Sequence, residues 1–325
     1  MTKIVIFPIK PGIDEPRSAA LDQLVNDFPQ CNLVYPQTMQ ELFAELPDAE
    51  ILAAYFVTDD ILDKAPNLKY VCGFLAGVDK LPLKRLEKEN ILLTTGRGIH
   101  ALHMTEYAIM MMIMMARNMD QLFVAQKNHQ WGSTEDFVQD QIYGKKLGIL
   151  GVGSIGKELA KKASMMGMEV IGVRRTPEKT DFVSKMYGME EGLEVVCSTC
   201  DYVVNLLPHT PATHKIIAKK YFDMLKPDAC MINIGRGDTV NEKDLYHALI
   251  NKQFKRYITD VFEKEPLDPA SKFWDLDNII ITPHVCGPNL TYLDKAYPIV
   301  KQNIAAYLNK DYENMLNVLS YERGY

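Results

Sequence analysis

The chain has 325 residues, of which 47% are hydrophobic and 24% are charged, and its net charge is −6. This composition is typical of a globular protein and excludes a disordered chain or a collagen-like repeat. It also lacks the basic excess that a nucleic-acid-binding surface requires. At about 150 residues per domain, the length predicts roughly two domains.

The N-terminus and the cysteines predict a cytoplasmic protein with reduced thiols. The chain opens with the strand-like run MTKIVIF, which lacks the pattern of a signal peptide. Six cysteines are scattered without the spacing of a disulfide framework. The apolar run 108–116 is much shorter than the ~20 residues that cross a bilayer, so we expect a buried helix and no membrane partner.

The first hundred residues alternate short apolar runs with amphipathic stretches. Such alternation predicts βαβ units and a parallel sheet. The predicted strands are Lys3–Phe7, Asn32–Tyr35, Ile51–Tyr55, Lys69–Gly73 and Ile91–Thr94, with helices at Ser18–Asp27 and Leu83–Glu89.

The middle of the chain predicts one long helix from Ala101 to about Gln126. It carries seven methionines, which are far more often core packing than a cofactor site. The polar stretch Asn128–Tyr143 follows it and has the character of an extended arm.

A second alternation begins at Lys145 and predicts a complete doubly wound nucleotide-binding sheet. A last helix, about Thr291–Leu308, is expected to return to the first domain. The predicted domains are therefore 1–101 with 289–325, and 102–288. The strands of the second sheet are Lys146–Leu150, Glu169–Val173, Tyr202–Leu207, Ala229–Ile234, Arg256–Val261 and Asn278–Thr282.

The strongest motif is a glycine-rich turn between a strand and a helix. Gly151 would make the tight turn, Gly153 would leave room for a pyrophosphate, and Gly156 would let helix and strand pack closely. The N–H groups of the helix start, around Ser154 and Ile155, would meet the negative charge. This context predicts dinucleotide binding.

The end of the next strand predicts which dinucleotide is preferred. NAD enzymes usually carry an acid there that binds the ribose 2′-hydroxyl. This chain has Arg174, Arg175 and Thr176 instead. Guanidinium groups match a 2′-phosphate in charge and geometry, so we expect NADP(H) to be preferred and NAD(H) to remain possible. The alternative is a solvated arginine pair.

Three later strands each lead to an ionisable residue. Arg236 follows one strand, Asp260 and Glu265 follow the next, and His284 follows the last. Because the carboxyl ends of parallel strands border the ligand crevice, we expect these groups to converge.

Taken together, these motifs resemble the D-isomer-specific 2-hydroxyacid dehydrogenase family. The resemblance rests on Gly151–Gly156, Leu207–Pro211, Asn233–Gly237, Asp260–Leu267, Thr282–His284 and, in the first part, Ala76–Asp79 and Thr105–Glu106. It implies a flavodoxin-like substrate domain, a Rossmann cofactor domain and a cleft between them.

The resemblance also implies a reaction, namely hydride transfer from NADPH to a small 2-oxo acid to give a D-2-hydroxy acid. His284 would be the general acid/base, Glu265 its partner, and Arg236 the clamp for the substrate carboxylate and carbonyl. The implied substrate contacts are Leu75, Ala76, Gly77 and Arg236. The implied cofactor contacts are Gly151, Gly153, Ser154, Ile155, Gly156, Arg174, Arg175, Thr176, Leu207, Pro208, Thr213, Ile234, Asp260 and His284.

Other interpretations remain open. A nucleotide-sensing, corepressor-like binding protein on the same fold is the main alternative. A formate dehydrogenase is disfavoured, because that relative is expected to carry Gln where this chain has Glu265. Family resemblance also implies a homodimer. No metal site is predicted: Cys197 and Cys200 lack a second pair, and His209 reads as the edge of the cofactor site or as a turn residue.

Overall fold

The computed structural model describes residues 1–8, 19–133, 135–287 and 291–321. The chain divides into two compact units, Met1–Ile99 with Asn289–Tyr325 and His100–Pro288. The strands are β1 (Lys3–Phe7), β2 (Asn32–Val34), β3 (Ile51–Ala54), β4 (Tyr70–Gly73), β5 (Leu92–Thr94), β6 (Lys146–Leu150), β7 (Glu169–Val173), β8 (Lys185–Tyr187), β9 (Tyr202–Asn205), β10 (Cys230–Asn233), β11 (Arg256–Thr259) and β12 (Ile279–Ile281). The helices are α1 (Ala19–Asp27), α2 (Met39–Glu45), α3 (Asp59–Lys64), α4 (Leu83–Lys88), α5 (Ala101–Ala116), α6 (Met119–Lys127), α7 (Ser154–Met165), α8 (Met189–Thr199), α9 (Lys219–Phe222), α10 (Glu242–Ile250) and α11 (Tyr292–Leu308).

The first unit contains a five-stranded parallel sheet in the order β2-β1-β3-β4-β5. This is the flavodoxin-like order, which confirms the predicted fold class. Successive β1 residues face opposite cores: Ile4 and Ile6 pack with α11, whereas Val5 and Phe7 pack with α2. Burial on both faces explains why these strands are continuous apolar runs.

The second unit contains a seven-stranded parallel sheet in the order β12-β11-β10-β9-β6-β7-β8. The run from β8 to β11 follows the Rossmann order, and β12 extends it. β8 was not predicted, because three residues at a sheet edge carry no apolar run that distinguishes them from a loop. Cores cover both faces of this sheet.

The predicted single helix from Ala101 to Gln126 is wrong. The structure has two helices, α5 and α6, whose axes differ by 68°. The break lies at Asn118, which adopts a left-handed conformation with φ +47°. Asparagine tolerates that conformation better than most residues, and one such residue ends the helical hydrogen-bond ladder.

The methionine-rich helix α5 is a packed helix of the second unit. Met104, Met111, Met112 and Met115 lie in its core. Among the residues that the structure describes, no single helix is long and apolar enough to cross a membrane. Only α5 and α6 taken together have that length and apolar character, and they are bent relative to each other. All six cysteines are free thiols, and burial raises the pKa of Cys197 to about 12 and that of Cys200 to about 11.

Candidate active site

The glycine-rich turn between β6 and α7 has the geometry that the motif predicts. Gly151 has φ +97°, and a Cβ there would lie 3.0 Å from the carbonyl carbon and oxygen of Leu206. A Cβ at Gly156 would lie 2.8 Å from the Gly151 oxygen, so helix and turn are in close contact. A Cβ at Gly153 would meet nothing within 4 Å, so the turn is open at this point.

The start of α7 can hold an anionic group. Gly153 is the N-cap residue and provides no side chain to cap the helix. The first N–H groups of a helix have no acceptor within it, and they carry the positive end of the helix dipole. Ser154 and Ile155 lie in this first turn and are partly buried. The open turn and these N–H groups fit the pyrophosphate of a dinucleotide.

The basic cluster after β7 lies at the surface. Arg174 is half-buried and forms an ion pair with Glu178, four residues further on, while Arg175 and Thr176 are exposed. The Arg174 N–H donates to the Tyr187 carbonyl of β8 at 3.1 Å, which fixes the backbone of the cluster to the edge strand. Glu178 was not identified from the sequence, although an acid four residues from an arginine is a recognisable signal.

Buried polar side chains hold the loops that follow β9 and β10. Asn205 donates to Asn233 Oδ1 at 2.9 Å and to Thr239 Oγ1 at 2.8 Å. The Thr239 hydroxyl in turn donates to the Arg236 carbonyl at 2.7 Å. All three side chains are fully buried, and satisfied buried networks of this kind are rigid. The backbone of Arg236 is therefore fixed, and its guanidinium donates to the Gly235 carbonyl at 2.8 Å.

Asp260, which directly follows β11, organises the loop that carries His284. Its carboxylate accepts from the Thr282 hydroxyl at 2.5 Å and from the N–H groups of Val285 and Cys286 at 2.9 Å. Its carbonyl accepts from the His284 N–H at 2.9 Å. This use of Asp260 was not predicted; the predicted contact with the cofactor stays a prediction.

The same loop also contacts Tyr107 of α5. The Tyr107 hydroxyl lies 2.7 Å from Thr282 Oγ1, and burial raises the pKa of Tyr107. Burial together with the nearby Asp260 also raises the pKa of the Cys286 thiol. The Tyr107 hydroxyl and the Cys286 thiol behind His284 are therefore protonated at neutral pH.

His284 and Glu265 form a hydrogen-bonded pair. His284 Nδ1 donates to Glu265 Oε2 at 2.8 Å, and the other carboxylate oxygen accepts from the Phe262 N–H at 3.1 Å. His284 has φ +55°, and its side chain is 45% exposed. With Nδ1 bound to the carboxylate, Nε2 is the nitrogen that can exchange a proton with a substrate. A left-handed residue other than glycine costs about 1–3 kcal/mol and persists only where the surrounding structure holds it.

The remaining predicted residues occupy three kinds of position. Leu207 and Ile234 are buried behind the loops, and Pro208 is exposed. The Thr213 hydroxyl donates to the Pro208 carbonyl at 2.6 Å and so closes its own loop. Leu75, Ala76 and Gly77 follow β4 in the first unit and are partly buried. Their contacts with ligands stay predictions.

A family model matches the second unit. The model for "D-isomer specific 2-hydroxyacid dehydrogenase, NAD binding domain" matches residues 109–286. This range contains the glycine-rich turn, Arg236 and the pair of Glu265 with His284.

Known proteins resemble the chain along most of its length. It is 33% identical to glyoxylate/hydroxypyruvate reductase A of Yersinia enterocolitica, over 78% of this chain and 75% of that protein. It is 30% identical to D-3-phosphoglycerate dehydrogenase of Methanocaldococcus jannaschii over 86% of this chain, but spans only 54% of the length of that protein.

A solved structure extends the similarity to both units. This is the NADPH-dependent glyoxylate/hydroxypyruvate reductase of Sinorhizobium meliloti, in complex with NADP and sulfate. It is 26% identical, with a TM-score of 0.83, and the match covers 100% of both chains.

Proposed function

This chain belongs to the D-isomer specific 2-hydroxyacid dehydrogenase family, and we propose that it transfers a hydride from NADPH to a small 2-oxo acid to give a D-2-hydroxy acid. The observation that carries the proposal is the contact of 2.8 Å between His284 Nδ1 and Glu265 Oε2. This pair lies in the same unit as the glycine-rich turn.

His284 is proposed to donate the proton that the reaction requires. A bound nicotinamide supplies the hydride to the 2-oxo carbon, and the carbonyl oxygen then needs a proton. Nε2 of His284 provides it, while Glu265 holds Nδ1 and balances the charge of the imidazolium. Asp260 fixes the backbone around His284 with its carboxylate and its carbonyl oxygen, so the ring is held before the substrate arrives.

Arg236 is proposed to bind the substrate carboxylate and to polarise the carbonyl. A guanidinium has five N–H donors and can hold more than one acceptor at once. The contact with Gly235 and the buried network below it orient Arg236. Backbone N–H groups at Leu75, Ala76 and Gly77 of the first unit are also proposed to bind the substrate, because the loop after β4 occupies the carboxyl end of its sheet.

The preference for NADPH rests on the cluster after β7. Arg174 stands where an NAD enzyme usually has an acid, and a 2′-phosphate would be bound through charge-assisted hydrogen bonds from Arg174 and Arg175. The two related reductases described above act on glyoxylate and hydroxypyruvate, and one is NADPH-dependent. Small 2-oxo acids of this size are therefore the proposed substrates.

The test is a panel of 2-oxo acids, including glyoxylate and hydroxypyruvate, assayed with NADPH and with NADH. We expect oxidation of NADPH that depends on the 2-oxo acid, with a higher kcat/KM for NADPH than for NADH. A preparation of His284→Ala serves as the negative control for contaminating reductases. If the protein binds NADPH tightly but reduces no 2-oxo acid, the enzyme assignment is wrong and the nucleotide-sensing alternative takes its place.

A further inference from the structure

Three side chains of types that can ligate a metal ion come together beyond the ends of β9 and β10, outside the proposed catalytic pair. His209, His214 and Asp238 each offer a ligand atom, and these atoms lie within 4.8 Å of one another. His209 Nε2 is 3.2 Å from His214 Nδ1, while the other nitrogen of the same ring, His209 Nδ1, is 4.0 Å from Asp238 Oδ2. The geometry points to a binding site for one divalent transition-metal ion of the Zn²⁺ type.

The kind of ion follows from the donor atoms. Two imidazole nitrogens and one carboxylate oxygen match the three-ligand zinc sites that leave a fourth position open. Mg²⁺ and Ca²⁺ favour sites made of oxygen atoms, so they fit this set poorly. Tetrahedral ligands bound at about 2.0–2.1 Å are ~3.4 Å apart, close to the 3.2 Å between the two histidine nitrogens.

The two histidines are held on one closed turn. The Thr213 hydroxyl donates to the Pro208 carbonyl at 2.6 Å, and the His214 N–H donates to the Thr210 carbonyl at 2.9 Å. Only side-chain rotation is then needed to bring both rings to a common ion. This turn lowers the entropic cost of binding, because its backbone is already ordered.

The carboxylate is brought to the histidines by backbone pairing. Asp238 lies in the 3₁₀ turn Gly237–Thr239. The Lys215 N–H donates to the Asp238 carbonyl at 2.7 Å, and the Ile217 N–H donates to the Thr239 carbonyl at 3.0 Å. These bonds join the segment that follows His214 to the turn that carries Asp238. The ligands are thus far apart in sequence but fixed side by side.

The surroundings permit a cation to enter. The side chains of His209 and Asp238 are each 33% exposed, so an ion can reach them from solvent. The adjacent cation, Lys215, is paired with Glu263 at 2.8 Å, which compensates its charge. The Glu263 N–H donates a hydrogen bond to Glu242 Oε1 at 2.6 Å, and burial raises the pKa of Glu242.

A bound ion would join two functional loops. His209 directly follows Leu207 and Pro208, which are proposed to contact the cofactor, and Asp238 is two residues beyond Arg236. Occupation of the site would cross-link the loop after β9 to the turn after Arg236 and stabilise the folded unit. Metal binding can be measured without turnover, so this inference and the proposed oxidoreductase function can fail separately.

The experiment is titration of chelator-treated protein with Zn²⁺ by calorimetry and with Co²⁺ by visible absorption. We expect one ion per chain, visible bands of low-symmetry Co²⁺, and a higher unfolding temperature with Zn²⁺. Loss of even an outer-shell partner typically weakens metal binding about 10–100-fold. His214→Gln and Asp238→Asn should therefore each weaken it by about 100-fold or more. His129→Gln and His247→Gln, which change exposed histidines elsewhere, should have no effect.

Two results would overturn the site. One is the absence of Zn²⁺ binding in the parent protein, which would leave the three residues as a hydrogen-bonded cluster. The other is undiminished binding in both ligand variants. Circular dichroism and the unfolding temperature of the metal-free variants check that they fold, and His209→Gln serves as a third ligand variant if either fails.

Discussion

At the scale of single residues, the pair of His284 and Glu265 combines a defined tautomer with an unusual backbone. Glu265 accepts a hydrogen bond from His284 Nδ1 at 2.8 Å, while φ of +55° sets the direction of the ring. The strained conformation is held by the hydrogen bonds that Asp260 makes to residues 284–286. These hydrogen bonds offset the strain at His284 and so hold its imidazole in one orientation, which a proton donor requires.

Replacement of His284 tests its role as the proton donor. We expect His284→Ala to lower kcat by about 10²–10⁴-fold, because this is the usual contribution of general acid catalysis. KM for the 2-oxo acid should change much less. Steady-state kinetics measures both values, with His247→Ala as the control for loss of a histidine. Near-normal turnover of His284→Ala would show that another group donates the proton.

The pairing of Arg174 with Glu178 makes a second prediction at this scale. Arg174→Asp should raise the Kd of NADPH by at least tenfold, because a charge-assisted hydrogen bond contributes about 1.5–3 kcal/mol. Glu178→Gln should lower that Kd about two- to fivefold, because Glu178 then no longer competes with the 2′-phosphate for Arg174. The effect is small because a half-exposed ion pair contributes at most about 1 kcal/mol.

Fluorescence titration with NADPH and with NADH measures both effects. The Kd of NADH should stay nearly constant in Glu178→Gln, because NADH has no 2′-phosphate. Glu135→Gln, another exposed acid of the second unit, is the matched control. Equal effects on both dinucleotides would contradict a role of this pair in cofactor choice.

At the scale of elements, the polar residues that matter lie where strands end. Asn205 and Asn233 close the strands β9 and β10, and Asp260 follows β11. Each uses its side chain to satisfy the N–H groups of the loop that follows its own strand or a neighbouring one. Short loops held in this way place Arg236 and His284 on a rigid sheet.

A surface contact between α1 and α11 predicts a pH-dependent contribution to stability. The Asp27 carboxylate accepts from Lys301 Nζ at 2.6 Å and from the Tyr297 hydroxyl at 2.5 Å. The Lys301 hydrogen bond, followed by that of Tyr297, holds the pKa of Asp27 below its ordinary value of 3.8. A lowered pKa in the folded state stabilises the protein above pH 3.8, and this contribution is lost as the pH falls through the lowered value.

Asp27→Asn should therefore lower the unfolding temperature by a few degrees at neutral pH, since an exposed pair contributes ~1 kcal/mol or less. The difference from the parent protein should shrink as the pH falls below about 4. Thermal unfolding followed by circular dichroism measures it, and Asp48→Asn controls for loss of an exposed acid. A difference that grows towards acid pH would contradict the assignment.

At the scale of the whole molecule, the second unit exposes large apolar side chains. Phe123 is 52% exposed, Val124 59% and Trp131 fully exposed, and all three lie on α6 or just beyond it. Clustered exposed apolar residues often mark protein–protein contacts. The family resemblance implies a homodimer, and we propose that these exposed side chains lie in its interface.

Light scattering coupled to size-exclusion chromatography tests the dimer. We expect twice the chain mass of 36.9 kDa at micromolar concentration. Val124→Asp should shift the protein towards the monomer, because a charge is costly in an apolar interface. Val25→Asp, which changes an exposed valine of the first unit, should leave the mass unchanged. A monomeric parent protein would refute the prediction.

Much of the fold and the site could be predicted because the signals are local. Apolar runs of four or five residues separated by amphipathic helices predict parallel strands, and both sheets are parallel as predicted, although the second one also contains β8. The glycine-rich turn is recognisable because φ of +97° at Gly151 requires that residue type. That Glu265 and His284 lie near each other could be expected because parallel strands deliver their carboxyl ends to one edge, while their pairing was implied by the family resemblance.

Other features depended on contacts that no local pattern contains. The three residues of β8 form a strand only because β7 offers them an open edge, and the helix after Ala101 ends early at Asn118. The carboxylate of Asp260 holds the loop of His284, a contact between distant segments that was not predicted. The sequence by itself therefore determined the chemistry of the strand ends, since periodicity and residue type are local. Only the tertiary structure decided which of those groups meet, because hydrogen bonds and ion pairs between distant segments depend on how the segments pack.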